Sequence, residues 1–497
     1  MKASVTMKPL LSFLACLALG CGHASAAERP NIIFILADDI GYGDFSCYGA
    51  TKIQTPNVDR LAKEGLRFTD AYAPSGVCTP TRYSFLTGEY AWRRKNTGIQ
   101  PGNAGLIIEP GRMTVPSLLK QAGYVTGVVG KWHLGLGKTP TDYNGEVKPG
   151  PLEIGFDYAW LLPATGDRVP CVWLENHRVV NLDPADPIKL DYDVKRGEPR
   201  SFVMGIPRIG EQVGGKAALW KDDEIADVIT EKSVAFIAKN KDKPFFLYLA
   251  THDNHVPRVP HARFRGTSQS GVRGDTVHSF DWTVGRVMEA LEANGLKEKT
   301  LIIVTSDNGG TLDTNGPDTV NSGTRASNNG HLQNGPLRAS KGSIHEGGSR
   351  VPFIARWPGH VPTGESGALL SFVDMMATFA ALTGQKLPAD AAPDSFNLLP
   401  SLCGGDKIGR EHLVIHGHVN DFLALRQGRW KYISPRGESK TVGAIYKSDG
   451  AETAQLFDLT EDIGEKKDVA SDHPERVVKM GALLKQIRQD GWSRPKP

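Results

Sequence analysis

The residues best suited to chemistry on an anion begin at Cys78-Thr79-Pro80-Thr81-Arg82, which opens a helix-like run closed by Gly88. Pro80 fits a first helical turn, so Cys78 is expected just before a helix N-terminus. Free N–H groups and the positive dipole end favour an anion there and lower a thiol's pKa. The competing reading is a small buried thiol beside an ordinary helix start. Asp38-Asp39 and Asp307-Asn308 offer hard oxygen ligands, suited to Ca2+ or Mg2+ and not to zinc. A divalent ion would offset repulsion among the three carboxylates. Arg82, Lys131 and Lys341 form a candidate anion clamp, although each taken alone reads as a solvated cation.

These residues are far apart in the chain, and the elements between them must bring them together. Asn31–Ala37, Tyr124–Val129, Pro244–Ala250 and Leu301–Thr305 are apolar runs that read as buried strands. They deliver, in turn, Asp38-Asp39, Lys131 with His133, His255, and Asp307-Asn308. Helical patterns alternate with them: Thr55–Gly65, Val115–Gly123, Asp222–Asn240, Asp275–Asn294 and Phe372–Leu382. A fifth strand is expected over Val351–Trp357. Such alternation implies a largely parallel sheet, in which ligands bind beyond the carboxyl ends of the strands. From about 140 to 220 the pattern is irregular and rich in Pro, Asp and Gly, as in a functional loop region. After about 385 it changes to short alternating strands at 413–416, 422–426 and 430–433, followed by a charged helix over Pro474–Gln489.

The 497 residues suffice for two or three domains. With 58 basic and 55 acidic residues, no basic block points to nucleic acid and no acidic tail to disorder. Lys2 and Lys8, the apolar run Leu10–Leu19 and Ala24-Ser25-Ala26 together read as a signal peptide over residues 1–26, hence export to periplasm or medium. Gly20-Cys21 is a poorer alternative as a lipoprotein site. Beyond the signal stand Cys47, Cys78, Cys171 and Cys403, too few for a disulfide framework. If Cys78 is converted, at most one pair can form among the other three.

Cys78-Thr79-Pro80-Thr81-Arg82 with Leu86-Thr87-Gly88 resembles the signature of the formylglycine-dependent sulfatases. Gly130-Lys131-Trp132-His133 and Lys341–Gly348 resemble further motifs of that family, and the likeness spans about residues 29–497. The resemblance implies an α/β fold: an alkaline-phosphatase-like large mixed sheet flanked by helices over 27–385. It also implies a smaller C-terminal domain over 386–497, with an antiparallel sheet and a helix. It implies that Cys78 is oxidised to formylglycine by a maturation enzyme, and that an oxygen of the hydrated aldehyde attacks sulfur. Asp38, Asp39, Asp307 and Asn308 would bind one Ca2+ together with the oxygen at position 78. Arg82 would orient the diol, and Lys131 and Lys341 would hold sulfate oxygens. His133 would take the proton when sulfate is released, and His255 would act as general acid at the leaving oxygen. Thr165 lies near where relatives carry a hydroxyl, and His252 and His345 read as structural histidines. Phe264–Gly271 resembles the N-acetylgalactosamine-6-sulfatase branch. The implied substrate is a galactose or N-acetylgalactosamine 6-sulfate in a sulfated saccharide. Asp167, Arg168, Trp173 and His177 are candidate sugar contacts, with loop packing as the other reading of each. The competing functions are a phosphodiesterase or phosphonate hydrolase on the same fold, and a non-catalytic binder of sulfated glycans. The acidic, single-ion metal set argues against the first, and the filled catalytic positions argue against the second.

Overall fold

The apolar runs become the centre of a ten-stranded sheet. The computed structural model describes Met1 and residues 29–311, 328–418, 422–436 and 451–494. The expected signal peptide and most of the polar loop before Gly335 lie outside these residues. Five strands run parallel in the order Thr300–Ser306, Asn31–Ala37, Phe245–Ala250, Val125–Lys131, Tyr158–Leu162. All seven residues of Asn31–Ala37 are buried. Such a strand has no polar face, which is why its sequence reads as an unbroken apolar run. The antiparallel Phe353–Arg356 and Leu66–Phe68 continue the sheet on one side. The hairpin Leu174–Glu175 and Arg178–Val179 ends it on the other.

Two apolar layers cover the sheet because successive side chains on each strand point to opposite faces. Ile32, Phe34 and Leu36 face the helices Val115–Gln121 and Met375–Leu382 and the helix that begins at Cys78. Ile33, Ile35 and Ala37 face Pro56–Lys63, Ile225–Lys239 and Gly271–Ala293. A second sheet of His412–His416, Leu423–Gln427, Trp430–Ile433 and Gln455–Asp458 is wholly antiparallel. The Pro474–Asp490 helix packs on it. The expected large mixed sheet with flanking helices and a smaller antiparallel C-terminal sheet is therefore the observed architecture.

Several expectations are corrected. The stretch 140–220 is not merely irregular: Tyr158–Leu162 is a core strand, and two small hairpin-like pairs join Lys189–Asp191 to Glu211–Val213 and Phe202–Val203 to Ile206–Pro207. Flanking Pro, Asp and Gly hid an apolar run of ordinary strand length. The long helix starts at Gly271 and not at Asp275. Trp173 does not face a sugar. It is 8% exposed, with its ring 5.9 Å from Trp160 and 6.0 Å from Trp220. His177 lies at the outer hairpin, paired with Glu153 at 3.0 Å. Cys47, Cys78, Cys171 and Cys403 are all free thiols. No helix among the described residues is long and apolar enough to cross a membrane.

The position of Trp173 makes it a packing residue. Trp173→Ala should cost about 3–5 kcal/mol of stability, the usual range for emptying a buried aromatic site. The KM of the folded fraction should stay unchanged. Urea unfolding together with steady-state kinetics checks this, and a raised KM with unchanged stability would contradict it.

Candidate active site

The carboxyl ends of the parallel strands place charged side chains in a space nearly closed to water. The strand Asn31–Ala37 runs into Asp38 and Asp39, both buried. Asp39 adopts φ 60°, a left-handed conformation that is uncommon outside glycine and concentrated at functional sites. Its N–H meets Asp307 Oδ1 at 3.3 Å, and the N–H of Asp307 donates to Ala37 O at 3.0 Å. The adjacent strands thus fix the two acidic turns against each other. His133 likewise sits at φ 56°, after the Val125–Lys131 strand. Gly130 precedes Lys131 at φ 108°, and a Cβ there would fall 1.9 Å from Ala250 O. Only glycine lets these two strands approach so closely while Lys131 turns inward.

Each carboxylate has a cationic partner. Lys131 Nζ lies 2.5 Å from Asp38 Oδ2, and Lys341 Nζ lies 2.6 Å from Asp39 Oδ1. Arg82 donates through Nε (3.0 Å) and Nη2 (2.8 Å) to Asp307 Oδ2, and through Nη1 to Lys131 O at 2.9 Å. Asn308 Nδ2 donates to Asp39 Oδ1 at 2.8 Å. Burial, with Asp307 beside it, nevertheless pushes the Asp38 carboxyl up to about 8. Burial would raise Asp39 too, but Lys341 and His255 hold it well below the carboxylate range.

Cys78 is the first residue of the Cys78–Thr87 helix and not the one before it; Val77 is the cap. Its Sγ lies 3.9 Å from Asp38 Oδ1. The expectation of an acidified thiol fails. Burial outweighs Lys131 and Lys341 and lifts the thiol to about 11, so it is not a thiolate at neutral pH. His133 Nε2 is 3.0 Å from Gln100 O, a carbonyl that can only accept. The proton of the neutral ring is therefore on Nε2, and Nδ1 is a buried lone pair with no hydrogen-bond partner. His255 Nδ1 is 2.6 Å from Val256 O, which leaves Nε2 free to face Asp39 Oδ2 at 3.9 Å. Burial holds both rings well below the usual histidine range, helped by Lys131 at His133 and by Lys341 at His255.

Asp38, Asp39, Cys78 and His255 present ligand atoms within 4.8 Å of one another, a possible metal-binding cluster. Asp307 and Asn308 adjoin it, through Arg82 and Asp39 respectively. Asn308 Oδ1 is buried without a hydrogen-bond partner. An orphaned amide oxygen beside buried carboxylates fits a hard divalent cation. Asp167 and Arg168 border the same space. Arg168 reaches Gln100 O at 2.9 Å and lies 3.5 Å from His133 Nε2. Thr165 donates to Asp167. His252 lies 5.9 Å from the His255 ring, centre to centre. His345 is paired with Glu465 and not with the site.

The sequence did not disclose the brace behind Asp39. Arg273 Nη2 donates to Asp39 O at 3.1 Å and pairs with Asp44 at 2.6 Å, and His331 adds a 2.8 Å contact to Asp44. Asp44 also accepts from the Gly41 N–H at 2.7 Å, so Gly-Tyr-Gly-Asp directly after Asp39-Ile40 was the available signal.

Comparisons with known proteins agree with this site. The family model named Sulfatase matches residues 30–385. An N-acetylgalactosamine-6-O-sulfatase of Bacteroides thetaiotaomicron is 46% identical, over 98% of this chain and 100% of its own. Human arylsulfatase A is 34% identical over 95% of this chain and 89% of its own. A solved 6S-sulf structure from a glycosaminoglycan-metabolism locus of Bacteroides thetaiotaomicron superposes with a TM-score of 0.89. It is 47% identical and covers 93% of this chain and 100% of its own. The chain belongs to the sulfatase family and is a sulfuric ester hydrolase.

Proposed function

We propose that this protein is an exported 6-O-sulfatase acting on galactose or N-acetylgalactosamine units of a sulfated saccharide, with a formylglycine made from Cys78. The observation that carries the mechanism is the placement of Cys78. It is buried, beside Asp38, and its thiol is held up to about 11. That environment suits a residue that does not work as a thiolate. In this reading a maturation enzyme supplies the aldehyde, and residues 1–26 direct export. The catalytic unit ends near 385, and 386–497 forms the second domain.

The hydrated formylglycine supplies an oxygen nucleophile, and one Ca2+ held by Asp38, Asp39, Asp307, Asn308 and position 78 supplies positive charge at the sulfate. The protein's own groups do the rest. Arg82, fixed by Asp307 and Lys131 O, orients the oxygens at position 78. Lys131 and Lys341 bind sulfate oxygens, where their charge acts at low dielectric. His255 donates its proton from Nε2 to the leaving sugar oxygen, with Nδ1 held by Val256 O. His133 accepts a proton at Nδ1, the nitrogen that Gln100 leaves unoccupied. Asp167 and Arg168 meet sugar hydroxyls. The close relatives include proteins named for N-acetylgalactosamine 6-sulfate, which favours that sugar and that position.

Cys78→Ala should abolish sulfate-ester hydrolysis, and peptide mass spectrometry of the parent should show residue 78 with sulfur replaced by oxygen. Activity surviving in Cys78→Ala would exclude the mechanism.

His255→Ala should depress turnover of sugar sulfates by roughly a hundredfold or more, the usual worth of a general acid. Nitrophenyl sulfate, whose leaving group needs little protonation, should lose far less. Equal losses on both substrates would remove His255 from that role.

On a panel of sulfated mono- and oligosaccharides, 6-sulfates of galactose and N-acetylgalactosamine should be cleaved well above 2-, 3- and 4-sulfates. Preference for an N-sulfate or a uronate 2-sulfate would refute the substrate assignment and leave the sulfatase chemistry standing.

A further inference from the structure

We infer that Glu465, from the C-terminal part of the chain, is a positioning residue for catalysis, because it clamps the segment that carries Lys341. Glu465 is fully buried, and its backbone is left-handed at φ 49°. A non-glycine residue in that conformation is held there by its surroundings. Its carboxylate accepts from His345 Nδ1 at 3.1 Å and from the Glu346 N–H at 2.7 Å. Its main-chain oxygen accepts from Arg338 Nη1 at 2.7 Å. Arg338 precedes Lys341 and His345-Glu346 follow it, so one residue grips the lysine segment on both sides. Lys431, buried on the Trp430–Ile433 strand, lies 3.0 Å from Glu465 Oε1 and 2.9 Å from Glu346 Oε1. It balances the charge of both carboxylates and ties them to the second sheet. The segment has little structure of its own: its helix is the single turn Glu346–Ser349. A turn of that length is not stable unaided, so its shape depends on what holds it.

Glu465 touches neither Lys341 nor the site carboxylates. It acts by holding the backbone from which Lys341 Nζ reaches the 2.6 Å contact with Asp39. This inference rests on the proposal that Lys341 meets a sulfate oxygen. Glu465→Gln keeps the shape but removes the charge and gives an amide N–H2 in place of one oxygen. The acceptors that His345, the Glu346 N–H and Lys431 share are then too few, and a donor faces a donor.

The test is the inhibition constant of inorganic sulfate, with turnover of a sulfated sugar, at a temperature well below unfolding. It compares the parent, Glu465→Gln, Lys341→Ala and the double variant. Glu465→Gln should weaken sulfate inhibition and lower kcat/KM by roughly tenfold or more, as loss of a supporting partner commonly does. In the Lys341→Ala background the same change should do almost nothing, because the group it positions is gone. Equal effects in both backgrounds, or a lowered melting temperature with parental sulfate inhibition, would make Glu465 merely structural and overturn the inference. If Lys341→Ala itself leaves sulfate inhibition unchanged, the reading of Lys341 fails and this inference with it. Should Glu465→Gln not fold, Arg338→Met removes only the contact to the main-chain oxygen. It should shift sulfate inhibition in the same direction by less, and no shift would overturn the inference.

Discussion

The structure depends on a buried cluster of opposite charges at the ends of its parallel strands. Asp38, Asp39 and Asp307 are essentially without solvent contact, as are Arg82 and Lys131, and only Lys341 keeps a 12% exposed side chain. Taking one such ion out of water costs several kcal/mol even after relaxation. The mutual contacts at 2.5–3.0 Å offset that cost only while the geometry is held. A core closed on both faces of the sheet is what can hold it. The ladder from Thr300–Ser306 through Asn31–Ala37 to Phe245–Ala250 sets the spacing, and the carboxylates are placed by main-chain bonds between strand ends. Such a cluster adds little to stability compared with apolar residues of the same volume. Its place in the fold follows from the chemistry it permits.

The same dry environment decides the protonation of the groups around the cluster. Burial disfavours charge on any group that lacks a close opposite partner. It lifts the Cys78 thiol and depresses His133 and His255, while Arg82 and Lys341 stay charged against carboxylates. Two neutral imidazoles beside fixed cations form a site waiting for negative charge. An anion would favour the protonated form of either ring as it enters. Its interaction with the lysines would also be worth more than in water. Hydrogen bonds to carbonyls give each ring a defined tautomer, so a proton can leave or arrive at one nitrogen only.

The strands that carry the site were legible because burial on both faces leaves an unmistakable apolar run. Asp38-Asp39 and Asp307-Asn308 stand out because such runs end abruptly in acid. Tyr158–Leu162 was missed since its five residues sit among turn formers, and the local signal of a short strand is weak there. Trp173 was misread for another reason. An aromatic residue in a loop-rich stretch has the same sequence signature whether it stacks on a sugar or on Trp160 and Trp220. The Cys78 environment misled in a third way: a helix start lowers a thiol's pKa only if burial does not outweigh the dipole, and burial is a tertiary quantity.

The least legible part is the join between the two sheets, and its cause is physical. The Glu346 N–H meets Glu465 across 119 residues of chain, and no periodicity or spacing encodes that meeting. What the sequence does contain is a segment unable to hold itself. Lys341-Gly342-Ser343 and Glu346-Gly347-Gly348 are rich in glycine, and a Cβ at Gly347 or Gly348 would strike the carbonyls of Ala339 or Ser343. Those glycines let the backbone fold back on itself, but they also leave it few side chains with which to pack. The segment therefore borrows its partners. Gly342 N–H donates to Gly76 O at 2.6 Å, beside the Cys78 helix, and the His418 N–H donates to Gly342 O at 2.8 Å from the second sheet. Lysine, cysteine helix and C-terminal sheet are thus bonded through one short stretch of main chain. A conformational change in any of them reaches the others without crossing the apolar core.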